Sequence, residues 1–250
     1  LRHPTRSTPT PEPGTAIFAR YARGDDYHDV MKSRLETLLA FIREEAGEAV
    51  EARVYVDTGP ILERDIARRA GLGWFGKNTM LINTRRGSYF LLGEILLSLQ
   101  LPPDAPAIGS CGTCPRCLDA CPTKAFPAPY VLDSTRCISY LTIELKGAIP
   151  EEFQKSLGNR VFGCDICQEV CPFNVRRATP ASEPAFAARD AVKERSLFEI
   201  AALSEDEFRI QFRRSPVKRA KHKGLVRNAV AALAGACESE EAQPADTSTG

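Results

Sequence analysis

Eight of the nine cysteines in this 250-residue sequence fall into two spaced runs and one position between them. The first run, Cys111–Pro122, reads C-x2-C-x2-C-x3-C-P, the spacing with which bacterial ferredoxins hold [4Fe–4S] clusters. The second run, Cys164–Pro172, reads C-x2-C-x3-C-P, and Cys137 can supply the cysteine that it lacks. This spacing predicts iron–sulfur centres, which carry single electrons.

Paired runs of this kind exchange their last ligands, because the cysteine before each proline binds the cluster of the other run. The spacing therefore predicts one [4Fe–4S] cluster on Cys111, Cys114, Cys117 and Cys171, and the other on Cys137, Cys164, Cys167 and Cys121. Zinc is the alternative, since cysteines two residues apart also bind zinc. The trailing Cys-Pro step occurs twice and favours clusters. Cys237 belongs to neither run, and we expect it to be a small buried residue on a helix.

One carboxylate stands where a strand is predicted to end. Asp57 follows the short predicted strand Arg53–Val56 and precedes Thr58-Gly59-Pro60 and a helix. Ligand crevices form at strand ends in α/β sheets, so Asp57 is a candidate proton donor. The residues alone favour the alternative, a helix N-cap. A donor here would have its pKa raised by burial and would stay protonated near neutral pH.

The segment Gly71–Gly76 spells G-x-G-x-x-G. A dinucleotide-binding fingerprint follows a strand and opens a helix, whereas this segment follows a predicted helix and leads into a strand. We therefore reject nucleotide binding. We expect the glycines to end a helix and to let the backbone lie close to a neighbour.

Eight basic residues and no acidic one lie between Arg209 and Arg227. On a chain with a net charge of only +1, such a run is a candidate phosphate-binding surface. The alternative, a solvated helical face, is left open by the residues alone.

Hydrophobic periodicity indicates the elements that position these groups. Met31, Leu35, Leu38 and Ile42 share one face of a helix that begins near Tyr27. Further predictions are a helix from Pro60 to Ala70, strands at Met80–Ile82 and Tyr89–Leu92 joined by a turn at 85–88, and helices after about residue 180.

Composition limits the class of protein. Hydrophobic residues make up 43% and charged residues 26%, as in globular proteins, and the net charge excludes a uniformly basic nucleic-acid coat. No apolar run approaches the ~20 residues of a membrane helix. No signal peptide is recognised, so nine cysteines favour reduced, metal-binding thiols over disulfides.

The predicted fold class is α+β. We expect a flexible leader at 1–15, a mixed α/β domain at 16–105, a two-cluster ferredoxin-like domain at 106–180, a helical region at 181–237 and a disordered tail at 238–250.

As a whole, the sequence resembles the epoxyqueuosine reductase family over about residues 16–175. The resemblance is carried by ARYARG (19–24), DYH (26–28), YVDTGPILER (55–64), AGLGWFGKNT (70–79), LGEI (92–95), RCISYLTIE (136–144) and both cysteine runs. The stretch RAKHKGLVRNAVAAL (219–233) resembles the family's HEAT-like helices.

The resemblance implies that a cobalamin-binding domain precedes the two-cluster module, and that electrons pass through the clusters to cobalamin, which reduces epoxyqueuosine in tRNA to queuosine. It implies that Asp57 donates a proton. The residues it implies at cobalamin are Arg20, Asp57, Leu81, Leu92, Ser139 and Asp165, and those implied at tRNA are Lys146, Lys218, Arg219, Lys221 and Lys223.

Other expectations concern the surroundings of the chain. We expect an external low-potential electron donor, no membrane contact, a monomer and a cytoplasmic location. The family's N-terminal portion is expected to be missing, which would leave the cobalamin domain incomplete. The alternatives are a corrinoid iron–sulfur reductive dehalogenase, a ferredoxin-type electron carrier and a zinc-containing tRNA-binding scaffold.

Overall fold

A computed structural model describes the backbone of residues 14–241 and the side chains of 14–236. Residues 1–13, which make up most of the predicted leader, and 242–250 lie outside the described residues, as does the side chain of Cys237. Gly14 and Thr15 belong to the structure and not to a free leader, because the Leu197 amide donates to the Gly14 carbonyl (2.7 Å) and Thr15 bridges to Ser196.

The described residues form a mixed α/β structure. Its helices are α1 (Tyr27–Ala46), α2 (Glu63–Arg69), α3 (Arg116–Asp119), α4 (Ile138–Ile143), α5 (Glu151–Leu157), α6 (Ile166–Glu169), α7 (Pro172–Arg177), α8 (Leu197–Ala201), α9 (Glu205–Gln211) and α10 (Lys221–Glu241). Its strands are β1 (Ile17–Phe18), β2 (Ala52–Tyr55), β3 (Trp74–Phe75), β4 (Leu81–Ile82), β5 (Glu94–Leu97) and β6 (Arg160–Phe162).

The strands pair in three small sheets. β1 pairs with β6 in parallel, while β2 with β5 and β3 with β4 are antiparallel. The predicted helix near Tyr27 and the strand near Arg53 are confirmed. None of the described helices is long and apolar enough to cross a bilayer.

The predicted hairpin of Met80–Ile82 with Tyr89–Leu92 is wrong. The turn exists, since the Gly87 amide donates to the Asn83 carbonyl (2.9 Å), but residues 89–92 belong to none of the described strands. Instead the Ser88 amide donates to Asn174 Oδ1 (2.6 Å), and β4 pairs with β3. A hydrogen bond to a residue 86 positions further along the chain thus takes the place of the predicted pairing with the neighbouring segment.

The main core joins the two ends of the described chain. Phe18 of β1 and Phe162 of β6 are buried together with Leu197 of α8 and Leu225 of α10. This core crosses the predicted boundaries at 105 and 180, so the segments do not bury separate cores there. Helix α10 also continues to Glu241 and overlaps the predicted tail from residue 238, because its sequence has no proline before Pro244.

A buried amide fixes α10 in this core. The Asn228 side chain is fully buried, and its Nδ2 donates to the carbonyls of Thr142 (2.7 Å) and Val161 (2.8 Å). These carbonyls belong to α4, which follows Cys137 directly, and to β6, which ends two residues before the second cysteine run. The C-terminal helix therefore helps to hold that run in place.

Candidate active site and cysteine centres

Asp57 lies in a loop that separates β2 from α2. Its φ of +56° is in the left-handed region, which is strained for a residue with a Cβ and is common at functional sites. Helix α2 begins at Glu63 and not at Pro60, and its N-cap is Leu62, which gives no side-chain cap. The alternative that Asp57 is a helix N-cap is therefore wrong.

The Asp57 carboxylate is held by two side chains of α1. The Tyr27 hydroxyl donates to Asp57 Oδ2 at 3.0 Å, and His28 Nε2 lies 3.3 Å from the same oxygen. On the other side of the imidazole ring, His28 Nδ1 lies 2.7 Å from Asp26 Oδ1. Asp26 Oδ2 in turn pairs with Lys218 Nζ at 2.9 Å. One hydrogen-bonded chain thus runs from Tyr27 through Asp57, His28 and Asp26 to Lys218.

These contacts decide where the proton resides. Hydrogen bonds to Asp26 and Asp57 raise the pKa of His28 to about 9, so the imidazole is protonated at neutral pH. The His28 hydrogen bond, with that of Tyr27, lowers the pKa of Asp57 against the opposing effect of burial. The expectation that burial keeps Asp57 protonated is therefore wrong: hydrogen bonding to the charged form wins.

Tyr21 connects this group to the second cysteine run. Burial, and then the charges of Asp165 and Asp57, raise the pKa of Tyr21 far above its usual range. Its ring packs edge-on against Tyr27, with 5.7 Å between centroids. Since Asp165 follows Cys164 directly, the proton-bearing group lies beside the predicted electron carriers.

The cysteines gather in two groups. Four of them line one cavity, whose walls also include Ile82, Pro172, Phe173, Asn78 and Arg116; the four are Cys111, Cys114, Cys117 and Cys171. In the other group, burial raises the pKa of Cys164 to about 12, and the charge of Cys137 adds to it. Burial, and then the charges of Cys164 and Cys137, also raise the pKa of Cys167. All eight thiols are free of disulfides.

Cys121 is the predicted fourth ligand of the second group, and its described contacts are with Thr123 and Ala125. Its sulfur lies 3.6 Å from Thr123 Oγ1 and accepts a hydrogen bond from the Ala125 amide (3.3 Å). Amide hydrogen bonds to sulfur are typical of iron–sulfur sites and tune their potentials. Soft thiols in two groups fit two clusters, while the ligand sets themselves stay predictions.

The segment 70–79, which includes the G-x-G-x-x-G stretch, contacts both cysteine runs. Lys77 Nζ donates to the Cys114 carbonyl (3.0 Å), and Asn78 Nδ2 donates to the Cys167 carbonyl (3.2 Å). Gly71 follows α2 with a φ of +72°, as expected for a residue that ends a helix. The segment thus places one polar side chain on each run.

The predicted cobalamin residues occupy several elements. The Arg20 amide donates to Asp165 Oδ2 (2.7 Å), which joins the N-terminal segment to the second run. Leu81 is buried on β4, Leu92 precedes β5 and Ser139 lies on α4. The structure brings Arg20 and Asp165 together, and the role of the set stays a prediction.

The basic run is not uniform. Lys218 pairs with buried Asp26, and Arg219 Nε lies 2.7 Å from Glu144, so both are tied to the rim of the Asp57 site. Arg227 donates to the carbonyls of Leu141, Leu145 and Gly147 and therefore caps the end of α4 rather than facing solvent. The remaining predicted tRNA residues are exposed: Lys146, Lys221 and Lys223.

Sequence reasoning assigned no role to His28 or Asp26. Both stand in the DYH motif, directly beside Tyr27, and this clustering of titratable residues was the available signal. The contacts of Tyr27 and His28 with Asp57 span about 30 residues of sequence, which no local pattern reveals.

Two family models match the chain. One is described as "Epoxyqueuosine reductase QueG, DUF1730" and matches residues 2–58. The other is described as "4Fe-4S double cluster binding domain" and matches residues 110–174, which include all eight cysteines of the two groups.

Individual proteins match over most of the chain. An epoxyqueuosine reductase of Xanthomonas campestris pv. campestris is 50% identical over 226 residues, which cover 90% of this chain and 63% of that protein. A crystal structure of epoxyqueuosine reductase with a tRNA-Tyr epoxyqueuosine-modified stem loop is 37% identical, with a TM-score of 0.87 over 94% of this chain and 63% of that one.

A third match is a Bacillus subtilis epoxyqueuosine reductase with its catalytic aspartate loop swung out of the active site. It is 34% identical with a TM-score of 0.85, over 99% of this chain and 68% of that one. The chain thus spans about 63% of the length of the Xanthomonas relative.

The His28 contacts predict an unusual titration. His28 should titrate near pH 9, and Asp57→Asn should lower that pKa because it removes one of two negative partners. Since the folded pKa lies above the unfolded value of 6.5, the stabilisation is complete below about pH 6.5 and is lost as pH rises through 9. NMR of histidine-labelled protein, which has three histidines, measures the shift. A pKa near 6.5 in the unaltered protein would contradict the arrangement.

The two thiol groups predict a ligand exchange that iron counting can test. Reconstituted protein should hold about eight iron and eight sulfide, and stoichiometric zinc without sulfide would contradict clusters. If Cys121 serves the second cluster, Cys121→Ala/Cys164→Ala should lose only that cluster and keep about four iron. Cys121→Ala/Cys114→Ala should lose both clusters. The reverse order would assign Cys121 to the cluster of its own run.

Proposed function

The chain belongs to the epoxyqueuosine reductase family, and from that premise we propose that it reduces epoxyqueuosine in tRNA to queuosine. The observation that carries the proposal is the Asp57–His28–Tyr27 group beside a two-group cysteine module. An electron carrier needs the cysteines alone and has no use for a strained carboxylate with a protonated partner. Conversion of an epoxide to an alkene takes up two electrons and two protons and releases water, so both parts are required.

Electrons would enter through the cysteine module. The clusters proposed on Cys111, Cys114, Cys117 and Cys171, and on Cys137, Cys164, Cys167 and Cys121, carry one electron each. Cobalamin, when bound, supplies the two-electron chemistry at its metal. We assign its contacts to Arg20, Asp57, Leu81, Leu92, Ser139 and Asp165. The buried link from Arg20 to Asp165, beside Tyr21, supports a cofactor site between the second run and Asp57.

One of the two protons would come from the Asp57 group and the other from solvent, which protonates the departing oxygen to water. As the carbon–oxygen bonds break, negative charge develops on the epoxide oxygen, and Asp57 is half-exposed, where a substrate can reach it. The stored proton lies on His28, and its transfer from Nε2 to Asp57 Oδ2 makes the carboxyl group an acid toward the substrate. Tyr27, whose pKa burial and Asp57 hold far above the usual range, stays a hydrogen-bond donor throughout.

The nucleic-acid substrate would lie along the rim of this site. Lys218 pairs with Asp26 and Arg219 with Glu144 at the rim of the site, and exposed Lys146, Lys221 and Lys223 extend the basic surface. In this proposal α8–α10 correspond to the family's HEAT-like helices. The relative that contains a modified tRNA stem loop supports a tRNA substrate. The electron donor, the monomeric state and the cytoplasmic location stay predictions.

Removal of the acid at Asp57 should stop turnover without unfolding the protein. Asp57→Asn keeps the side-chain shape but cannot transfer a proton, so the turnover number should fall about 10²-fold or more, the usual scale for a general acid. Cluster absorbance and tRNA affinity should be retained. Asp190→Asn, at a side chain that is 99% exposed, is the matched control. Near-normal turnover in Asp57→Asn would direct the search for the acid to Tyr27 and Tyr21.

The basic rim predicts a salt-dependent interaction with tRNA. Lys221→Gln/Lys223→Gln removes two exposed charges and no described ion pair, so tRNA affinity should fall and its salt dependence should flatten by about one unit per lost phosphate contact. Lys193→Gln, elsewhere on the surface, is the control. Filter binding between low and moderate salt measures both slopes, and an unchanged slope would show that the lysines only face solvent.

A further inference from the structure

Two further acids lie directly behind Asp57. Glu63 is the first residue of α2, and Glu94 is the first residue of β5, where it pairs in register with Tyr55 of β2. The Glu63 carboxylate accepts a hydrogen bond from the Asp57 backbone amide. Glu63 also acts on Glu94, because its charge and hydrogen-bonding capacity raise the pKa of the Glu94 carboxyl group. A row of three carboxyl groups thus runs from β5 to the loop, and nothing in the proposed chemistry uses the inner two.

At neutral pH the Glu94 carboxyl group keeps its proton, because its pKa is raised to about 8. Glu94 Oε2 is buried, and no described residue donates a hydrogen bond to it. Burial first, and then the charge and hydrogen bond of Glu63, raise the pKa of Glu94 to about 8. A proton between the two carboxyl groups satisfies the buried oxygen and removes the repulsion.

The surroundings of the pair supply no competing cation. Among described residues, the groups whose charge acts on Glu94 are Glu63 of α2 and Asp57 of the loop, both acidic. Helix α1 contributes apolar Met31 and Leu35, which pack beside Gly93.

Arg64, the basic residue next to Glu63, donates to the carbonyl of Thr79 instead. Tyr55 is the register partner of Glu94 on β2 and brings no charge at neutral pH. The shared proton is therefore the remaining means of neutralising the pair.

The Asp57 loop needs an anchor of this kind. Asp57 holds a strained φ of +56°, and Leu62 gives no side-chain cap to the helix that follows. At Gly59 the loop lies directly over the Tyr55 ring, where any Cβ would collide with the ring. The hydrogen bond from the Asp57 amide to Glu63 joins the start of the loop to the first residue of the helix that follows it.

We propose that Glu63 and Glu94 are positioning residues, which share one proton and hold the Asp57 loop in its reactive position at the end of β2. The proposal rests on the function assigned to Asp57. When the shared proton leaves to solvent at alkaline pH, two adjacent carboxylates remain and repel each other. Glu63 then moves away from the Asp57 amide, and the loop is released.

Amide hydrogen exchange tests the anchor without relying on activity. Exchange of residues 57–62 is compared between variants at the same pH, so that intrinsic rates cancel. Glu94→Gln keeps a hydrogen-bond donor toward Glu63 at every pH, whereas the unaltered protein loses the proton above about pH 8. At pH 9 we expect loop exchange about tenfold slower in Glu94→Gln than in the unaltered protein, since one pH unit above a pKa leaves about a tenth of a group protonated. Glu63→Ala should exchange rapidly at pH 7 and pH 9, and Glu51→Gln, at an exposed acid, is the control.

Turnover of the cluster-loaded protein with cobalamin and tRNA supplies the second measurement. Glu63→Ala should lower kcat with little change in KM for tRNA, and Glu94→Gln should move the alkaline limb of the pH profile upward. Unchanged loop exchange in Glu63→Ala would overturn the anchor. Equal exchange in Glu94→Gln and the unaltered protein at pH 9 would overturn the shared proton, and this comparison decides alone if Glu63→Ala does not fold.

The outcome for Asp57 is separate from these. If Asp57→Asn turns over normally while loop exchange behaves as expected, the proposed acid fails and the anchor stands as a property of the loop. If Asp57→Asn is inactive while Glu63→Ala leaves both loop exchange and kcat unchanged, the acid stands and the anchor is overturned.

Discussion

The arrangement depends on one buried carboxylate, Asp26. Its side chain is only 5% exposed, and a charge there is stable only if it is fully paired. Burial opposes ionisation, but hydrogen bonds from His28 and Lys218 hold the pKa of Asp26 well below its usual range. Its own amide donates to the Arg214 carbonyl (2.8 Å), so the start of α1 is tied to the segment before α10. The same contacts orient the His28 ring toward Asp57.

A consequence is that Asp57 and His28 together determine how readily a proton is released at this site. An isolated carboxyl at a strand end must be desolvated to stay protonated, and a desolvated group is hard to reach from solvent. Asp57 is half-exposed and ionised, while His28 keeps the proton because two carboxylates flank it. Substrate access and proton storage are thereby assigned to different side chains 3.3 Å apart.

Features encoded within a short stretch could be predicted from the sequence. The cysteine spacing and the presence of α1 are of this kind. The face predicted for α1 is only partly correct, because Leu38 is 47% exposed and Leu39 is buried instead. The hairpin after β4 failed because Asn174 takes the Ser88 amide from far along the chain. The direction of the Asp57 pKa failed for the same reason, since Tyr27 and His28 approach from another element. The Glu63–Glu94 pair had no signal, because β2–β5 register had to be known first.

The structure combines a rigid frame with one weakly held segment. Asn228 and the β1–β6 pairing fix the second cysteine run against the C-terminal helices, and the partly buried ring of Tyr21 packs against Tyr27 of the Asp57 group. Reactions between a proton donor and an electron source require geometry held to about an ångström, which such packing provides. The loop that carries Asp57 has no comparable core and is held by hydrogen bonds to α1 and α2. In the proposed function a tRNA nucleoside enters and leaves beside this loop, and a segment held by hydrogen bonds can move for it while the buried cores stay intact.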